Sequence, residues 1–286
     1  MPVNISETFL ETTFREFRVL LAIENKMKSY EWVPAGEICN FTDYGTKETE
    51  YILFRLAKNK LVQRNVSGYR IYFEAYDLLA LNAFVKRNSV NAIGNPIGAG
   101  KESRIYEATS GLTGRPVVIK FHREGKMGFR QVAVKRGHLG ERKHISWLYA
   151  SRLAAKREYD VMSKLYPEVS VPEPVDYNRH AIVMSPVKGP ALAHTRVDEP
   201  EWYLDEILNQ IGKAFRLGII HGDLNEYNVF VNPGGCEIID WPQHTDFAHP
   251  NARELLCRDI ENILNFFMRR YRIERDIQET MNRIYA

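Results

Sequence analysis

Ile219-Ile220-His221-Gly222-Asp223-Leu224-Asn225-Glu226-Tyr227-Asn228-Val229-Phe230-Val231 is answered shortly afterwards by Glu237-Ile238-Ile239-Asp240-Trp241-Pro242. Two apolar, β-prone runs thus carry an Asp, an Asn five residues on, and a second Asp seventeen residues after the first. Phosphoryl transfer from a nucleotide needs such a set. One carboxylate sits beside the attacking hydroxyl, while an amide oxygen and another carboxylate hold the metal that neutralises phosphate charge. A lone Asp-x4-Asn also occurs in polar hairpin turns, but here the flanking strands and the second Asp fit one site.

Upstream, Ala92-Ile93-Gly94-Asn95-Pro96-Ile97 leads into Gly98-Ala99-Gly100-Lys101-Glu102-Ser103, and Arg104 to Thr109 alternates like a strand. A strand, glycine loop and strand let backbone amides approach phosphates closely. It is not a Walker loop, because no Gly-Lys-Ser/Thr opens a helix at the required spacing. Pro116-Val117-Val118-Ile119-Lys120-Phe121 then reads as a buried strand ending on a lysine. A lysine there is costly unless its charge is used, so Lys120 is the phosphate-pairing candidate; the bland alternative is an edge-strand lysine that snorkels to water. Such a lysine needs an acid from a helix to orient it. Glu158, in the helical stretch Ser146 to Leu165, is the leading candidate and Asp160 the runner-up.

Between these parts, His122 to His144 holds seven Lys and Arg against two Glu, in a chain whose net charge is only +3. Four glycines in the stretch argue against one rigid helix. It reads as a basic flap for phosphate or RNA, or as a solvated loop. Further on, His180 to Val187 is an apolar strand running into Pro186. It places Met184, Ser185 and Val187 at the connector between two lobes, where an adenine ring would meet backbone groups. Arg258-Asp259-Ile260-Glu261 reads as a surface ion network on a late helix, with Glu254 and Asp259 structural rather than catalytic.

The first 91 residues have a different pattern. Phe9, Phe14, Phe17, Val19, Leu20, Leu21 and Ile23 recur at near-helical spacing; a second helix opens at Pro34, and Thr46 is the expected cap of a third. Leu61 to Arg64 and Tyr69 to Phe73 flank Asn65-Val66-Ser67-Gly68 as a β-hairpin. Three helices and a hairpin are the plan of a winged helix. Lys47, Arg55, Lys58, Lys60, Arg64 and Arg70 would contact nucleic-acid phosphates, or present a solvated face to a protein partner. The polar break Lys86-Arg87-Asn88-Ser89 marks the domain boundary.

Composition excludes several classes. A hydrophobic content of 44% with 26% charged residues is that of a globular protein. No run approaches the roughly 18 apolar residues of a membrane span. Charged residues interrupt any signal-peptide core at the N-terminus. Cys39, Cys236 and Cys257 have neither disulfide nor metal-ligand spacing, which suits a cytoplasmic protein.

With these strings in order, the chain resembles the RIO family of atypical protein kinases, and within it the subfamily with an N-terminal winged helix. The resemblance covers nearly the whole sequence, from the winged helix through Gly98 to Ser103, Val118-Ile119-Lys120-Phe121-His122 and the basic flap to the two catalytic strings. It implies an α+β protein, with a winged helix over residues 1–91 and a compact two-lobed kinase-like domain over 92–286. The lobes would span about 92–184 and 188–286. It implies ATP with Mg2+ or Mn2+, and a monomer working on the maturing small ribosomal subunit and its rRNA through the winged helix and flap 122–144. Asp223 would be the catalytic carboxylate; Asn228 and Asp240 would be metal ligands. Gly98, Gly100, Lys101 and Glu102 would bind the nucleotide, Ser103 and the catalytic Lys120 would sit on its phosphates, and Glu158 would orient Lys120. Family members are also thought to act as ATPases through a phosphoaspartate, here at Asp240.

His221-Gly222-Asp223 departs from the His-Arg-Asp of ordinary protein kinases, and 46 residues after Asp240 leave no room for a usual activation segment. Autophosphorylation or ATPase-driven switching is therefore favoured over a peptide-substrate platform. Two rivals share features. A small-molecule phosphotransferase of the aminoglycoside-kinase type has a His-Gly-Asp loop and an Ile-Asp-Trp strand, but lacks the winged helix. A nucleic-acid-binding scaffold with a degenerate kinase domain would not need intact Lys120, Asp223, Asn228 and Asp240.

Overall fold

Thr13 divides the first apolar run into two helices where the periodicity predicts one: α1 (Ile5–Glu11) and α2 (Phe14–Lys26). Its backbone is extended (ψ 160°), and its N–H and side chain form a capping box with Glu16. Satisfying these end groups is worth about 1 kcal/mol, enough to set where a helix starts. α3 (Ala35–Thr42) follows Pro34 and ends at Asp43 in the left-handed region. In α4 (Thr46–Lys58) the cap position is Gly45, with no side-chain cap bond, so Thr46 is the first helical residue and not the cap expected. β1 (Val62–Asn65) and β2 (Gly68–Ile71) pair antiparallel. Asn65 Oδ1 accepts from the N–H groups of Ser67 (2.8 Å) and Gly68 (3.0 Å), which closes the turn. α5 (Phe73–Lys86) completes the winged helix.

The computed structural model describes residues 4–99, 103–123 and 146–285. Gly100, Lys101, Glu102 and nearly all of the expected flap lie outside the described residues. Five strands follow α5 in one sheet of order β3-β4-β5-β7-β6: β3 (Ala92–Ala99), β4 (Ser103–Thr109), β5 (Pro116–His122), β6 (Pro174–Asn178) and β7 (Ala181–Met184). The β3–β4 register shifts on both sides of Pro96, which cannot donate to the ladder. α6 (Ser146–Leu165) separates β5 from β6.

The chain divides into two compact units, Met1–Lys156 with Asp176–Val183, and Arg157–Val175 with Met184–Ala286. The division falls inside α6, inside β6 and at the end of β7. The winged helix and most of the sheet share the first unit, and buried charges tie them together. Asp77 of α5 accepts from Arg123 Nη1 at 2.7 Å and pairs with His180 Nε2 at 2.8 Å. Arg123 also stacks on Phe73, and His180 on Tyr76. Arg179 adds a two-bond pair with Glu24 of α2.

In the second unit, α7 (Pro200–Arg216) is followed by β8 (Ile219–Ile220), the hairpin β9 (Val229–Asn232) with β10 (Gly235–Ile238), and β11 (Thr245–Asp246). α8 (Ala252–Tyr271) and α9 (Ile277–Tyr285) close it. β11 pairs with β8, so the segment after β10 returns beside the strand that leads into the His221 loop. No helix among the described residues is long and apolar enough to cross a membrane.

Candidate active site

His221 is the hinge pin of the loop between β8 and β9. Its Nε2–H donates to Ile239 O at 2.9 Å, and its Nδ1 accepts from the Asp223 N–H at 3.3 Å. That arrangement requires a neutral ring, and burial pushes the His221 pKa down to about 4. One imidazole thus fixes the Asp223 backbone to the residue preceding Asp240. Ile239 N–H also donates to Asn228 O at 2.9 Å, which draws the third predicted residue to the same strand end. Asp223, Asn228 and Asp240 are therefore brought together, as their spacing predicts.

Asp259 contributes what the sequence hid. It lies on α8, only 1% exposed, and accepts from the N–H groups of Gly222 (2.7 Å) and Leu224 (2.9 Å). The expected surface ion network is thus, for Asp259, a buried clamp on both neighbours of Asp223. Arg258 donates to Gly222 O, and Asn262 Nδ2 to Leu224 O at 2.9 Å. Three residues of α8 therefore grip the backbone of Gly222 and Leu224, on either side of Asp223. Burial raises the Asp259 pKa to about 6 against the pull of those N–H donors. The one sign in the sequence, which names no partner, is that Asp259 falls on the stripe of Leu256, Ile260, Ile263 and Phe267, where a charge needs a buried partner.

Asp223 is exposed enough to meet a substrate, yet burial raises its pKa; Arg258 pulls the other way and the Asp240 charge adds to the rise. Asp240 holds a left-handed backbone (φ 68°), a conformation Asp tolerates better than most side chains. Next to it, Trp241 is buried with its Nε1–H on Ile238 O at 3.0 Å. The donor set fits a nucleotide-bound divalent cation. Asn228 Nδ2 donates to Asp223 O at 3.1 Å, so it is the amide oxygen that would meet a cation. Among the described residues no cluster of three His, Cys, Asp or Glu forms a self-sufficient metal cage. Mg2+ suits such a site, because it takes one or two protein oxygens and fills its shell with phosphates and water.

In the first unit, the register of three strands aligns another group. Ile105 is the Cα partner of both Gly98 and Lys120, and Ser103 lies two residues from Ile105 on β4. Directly paired and alternate residues share a face, so Gly98, Ser103 and Lys120 lie on one side of the sheet. A Cβ at Gly98 would make only ordinary contact with Ile105, at 3.6 Å. Among the described residues, packing does not demand a glycine there, which fits a position left bare for a ligand. Lys120 is 6% exposed, as a lysine held for use in an apolar strand should be.

Glu158 and Met184 belong to the second unit. Glu158 is 1% exposed and close enough to His221 to act on it electrostatically, whereas Asp160 faces solvent. Met184 is buried at the end of β7. Ser185 donates its backbone N–H to Glu173 O at 2.9 Å and accepts from Glu173 N–H through Oγ. An adenine ring would therefore meet the Ser185 carbonyl and the half-buried Val187, not the Ser185 N–H.

A winged helix joined to a sheet with an apolar-strand lysine, and a His-Gly-Asp loop clamped against the strand that leads to Asp240, define a protein-kinase-like phosphotransferase. The RIO domain family matches residues 104–280 and the Rio2 N-terminal family residues 9–87. The chain belongs to the RIO family of serine/threonine kinases, in the Rio2 branch. It is 41% identical to the RIO-type serine/threonine-protein kinase Rio2 of Methanocaldococcus jannaschii, covering 87% of this chain and 94% of that protein. The Dictyostelium discoideum kinase rio2 is 38% identical over 90% of this chain, which spans half of that longer protein. Among solved structures, the Rio2 kinase-ADP/Mg2+-phosphoaspartate complex of Chaetomium thermophilum matches with a TM-score of 0.83 and 33% identity, covering 97% of this chain and 88% of that one.

Proposed function

We propose that this chain binds ATP with Mg2+ (or Mn2+) and acts as an atypical serine kinase and ATPase. Asp223 is its catalytic carboxylate, Asn228 and Asp240 hold the metal, and Lys120 and Ser103 meet the phosphates. One observation carries the reading: His221 ties the Asp223 backbone to Ile239, next to Asp240, Ile239 N–H ties in Asn228, and the Asp223 loop is gripped by Asp259. The phosphoaspartate in the Chaetomium thermophilum relative supports a route in which Asp240 accepts the γ-phosphoryl group and water then removes it. Hydrolysis of that kind would time release from a maturing small ribosomal subunit in the cytoplasm, held through its rRNA. The cations Lys47, Lys58 and Lys60 on and after α4 are exposed and suit phosphate contacts.

Steady-state ATP hydrolysis tests the enzyme. Asp223→Ala should lower turnover by roughly 10²–10⁴-fold, the usual loss on removing a positioned base. Turnover at the wild-type rate in that variant contradicts the assignment.

A further inference from the structure

Gln243 stands three residues beyond Asp240 on the turn Trp241 to His244, and several anchors set its place. Trp241 is buried, the His244 N–H returns to Trp241 O at 3.1 Å, and Arg157 holds His244 O at 2.8 Å. The turn passes so close to the catalytic loop that a Cβ on Gly222 (φ 81°) would lie 3.0 Å from Gln243 O. From this position the Gln243 Nε2–H donates to Asp223 Oδ2 at 3.4 Å. A carboxamide carries a donor and an acceptor together. With its NH2 on one oxygen of Asp223, its carbonyl and the other Asp223 oxygen can accept the two hydrogens of a single water. Pairing a carboxylate with an amide to orient an attacking water is sound chemistry in phosphoryl hydrolysis.

We infer that Gln243, with Asp223, holds the water that hydrolyses the phosphoaspartate at Asp240. The inference rests on the covalent route proposed above. In the step, the water oxygen bonds to phosphorus as the bond from phosphorus to the Asp240 carboxylate oxygen breaks. The electron pair returns to that carboxylate, the water proton passes to Asp223, and inorganic phosphate leaves. Forming the phosphoaspartate needs no water, since Asp240 is itself the nucleophile. Gln243 therefore serves breakdown and not formation.

The full chain, mixed with γ-labelled ATP and Mg2+ and then chased with unlabelled ATP, separates the two rates. Gln243→Ala should slow decay of the hydroxylamine-labile label tenfold or more, leave its formation within about twofold, and raise the labelled fraction at steady state. Gln243→Glu keeps the side-chain size and should slow decay as well; an unchanged urea midpoint shows that either variant is folded. Decay at the wild-type rate in Gln243→Ala, or formation and decay slowed alike, overturns the inference alone. A wild-type chain that forms no hydroxylamine-labile label overturns the covalent route, and the inference with it.

Discussion

His221 and Asp259 show how a short loop becomes a rigid site. One is a neutral imidazole bridging the Asp223 N–H to Ile239 O, the other a carboxylate bonded to the N–H groups on both sides of Asp223. Hydrogen bonds to a charged acceptor are worth about 1.5–3 kcal/mol each. Asp259→Asn keeps one acceptor oxygen and sets an NH2 group against a backbone N–H, so ATP turnover at pH 7.5 should fall at least about tenfold by that magnitude. The same clamp gives a pH limb. With its pKa at about 6, Asp259 is a carboxylate at neutral pH and gains a proton as pH falls through that value, losing an acceptor. Wild-type turnover should therefore decline below about pH 6; a profile level down to pH 5 would show that the clamp does not matter. The grouping of Asp223, Asn228 and Asp240 was legible because two β-prone runs carry them at close spacing. Asp259 was not, because its partners lie more than thirty residues away in sequence and a charge on a helix reads first as surface.

Element boundaries follow from caps and turns more than from periodicity. The run from Phe9 to Ile23 keeps a helical rhythm across a break, and only the Thr13–Glu16 capping box reveals where the second helix starts. Thr13→Ala should cost about 1 kcal/mol in urea unfolding. The wing was easier to see, since Asn65 to Gly68 is a turn string between two β-prone runs. Gly68 there is obligatory: its φ is 146°, and a Cβ would sit 2.3 Å from Val33 O, a backbone atom that cannot rotate away. Gly68→Ala should destabilise the chain by more than about 2 kcal/mol, read as a lower urea midpoint. A midpoint equal to wild type would contradict the observed packing of the wing on Val33. Lys120 was readable from its strand alone, but its alignment with Gly98 and Ser103 needed the register through Ile105.

At the scale of the whole molecule, each unit buries a histidine that must stay neutral. Burial pushes His180 in the first unit and His221 in the second down to about 4, from 6.5 when unfolded. As pH falls from 6.5 towards 4, the unfolded chain takes up protons that the folded chain refuses. Stability is thus fully present above 6.5 and lost through that window, at up to about 3 kcal/mol per histidine. Urea midpoints should drop between pH 7 and pH 5, although the raised pKa of Asp259 works the other way below about pH 6; midpoints that rise would contradict the neutral burial of the two rings. The two-domain plan was legible from the change of pattern near residue 90, because a winged helix and a glycine-loop sheet have unlike signatures. Their union in one unit was not, because Asp77, Arg123 and His180 meet from three distant places in the sequence. The RNA binding proposed for the exposed cations is tested by its salt dependence: affinity should fall steeply, with a log–log slope set by the number of phosphates contacted, and a flat response would contradict it.

One measurement tests the central claim most directly. The full chain is incubated with ATP and Mg2+, reduced with borohydride, and its peptides are sequenced by mass spectrometry. An acyl phosphate on an aspartate reduces to homoserine, so the account predicts homoserine at position 240. Homoserine elsewhere, or phosphate found only on serine and threonine, would contradict it.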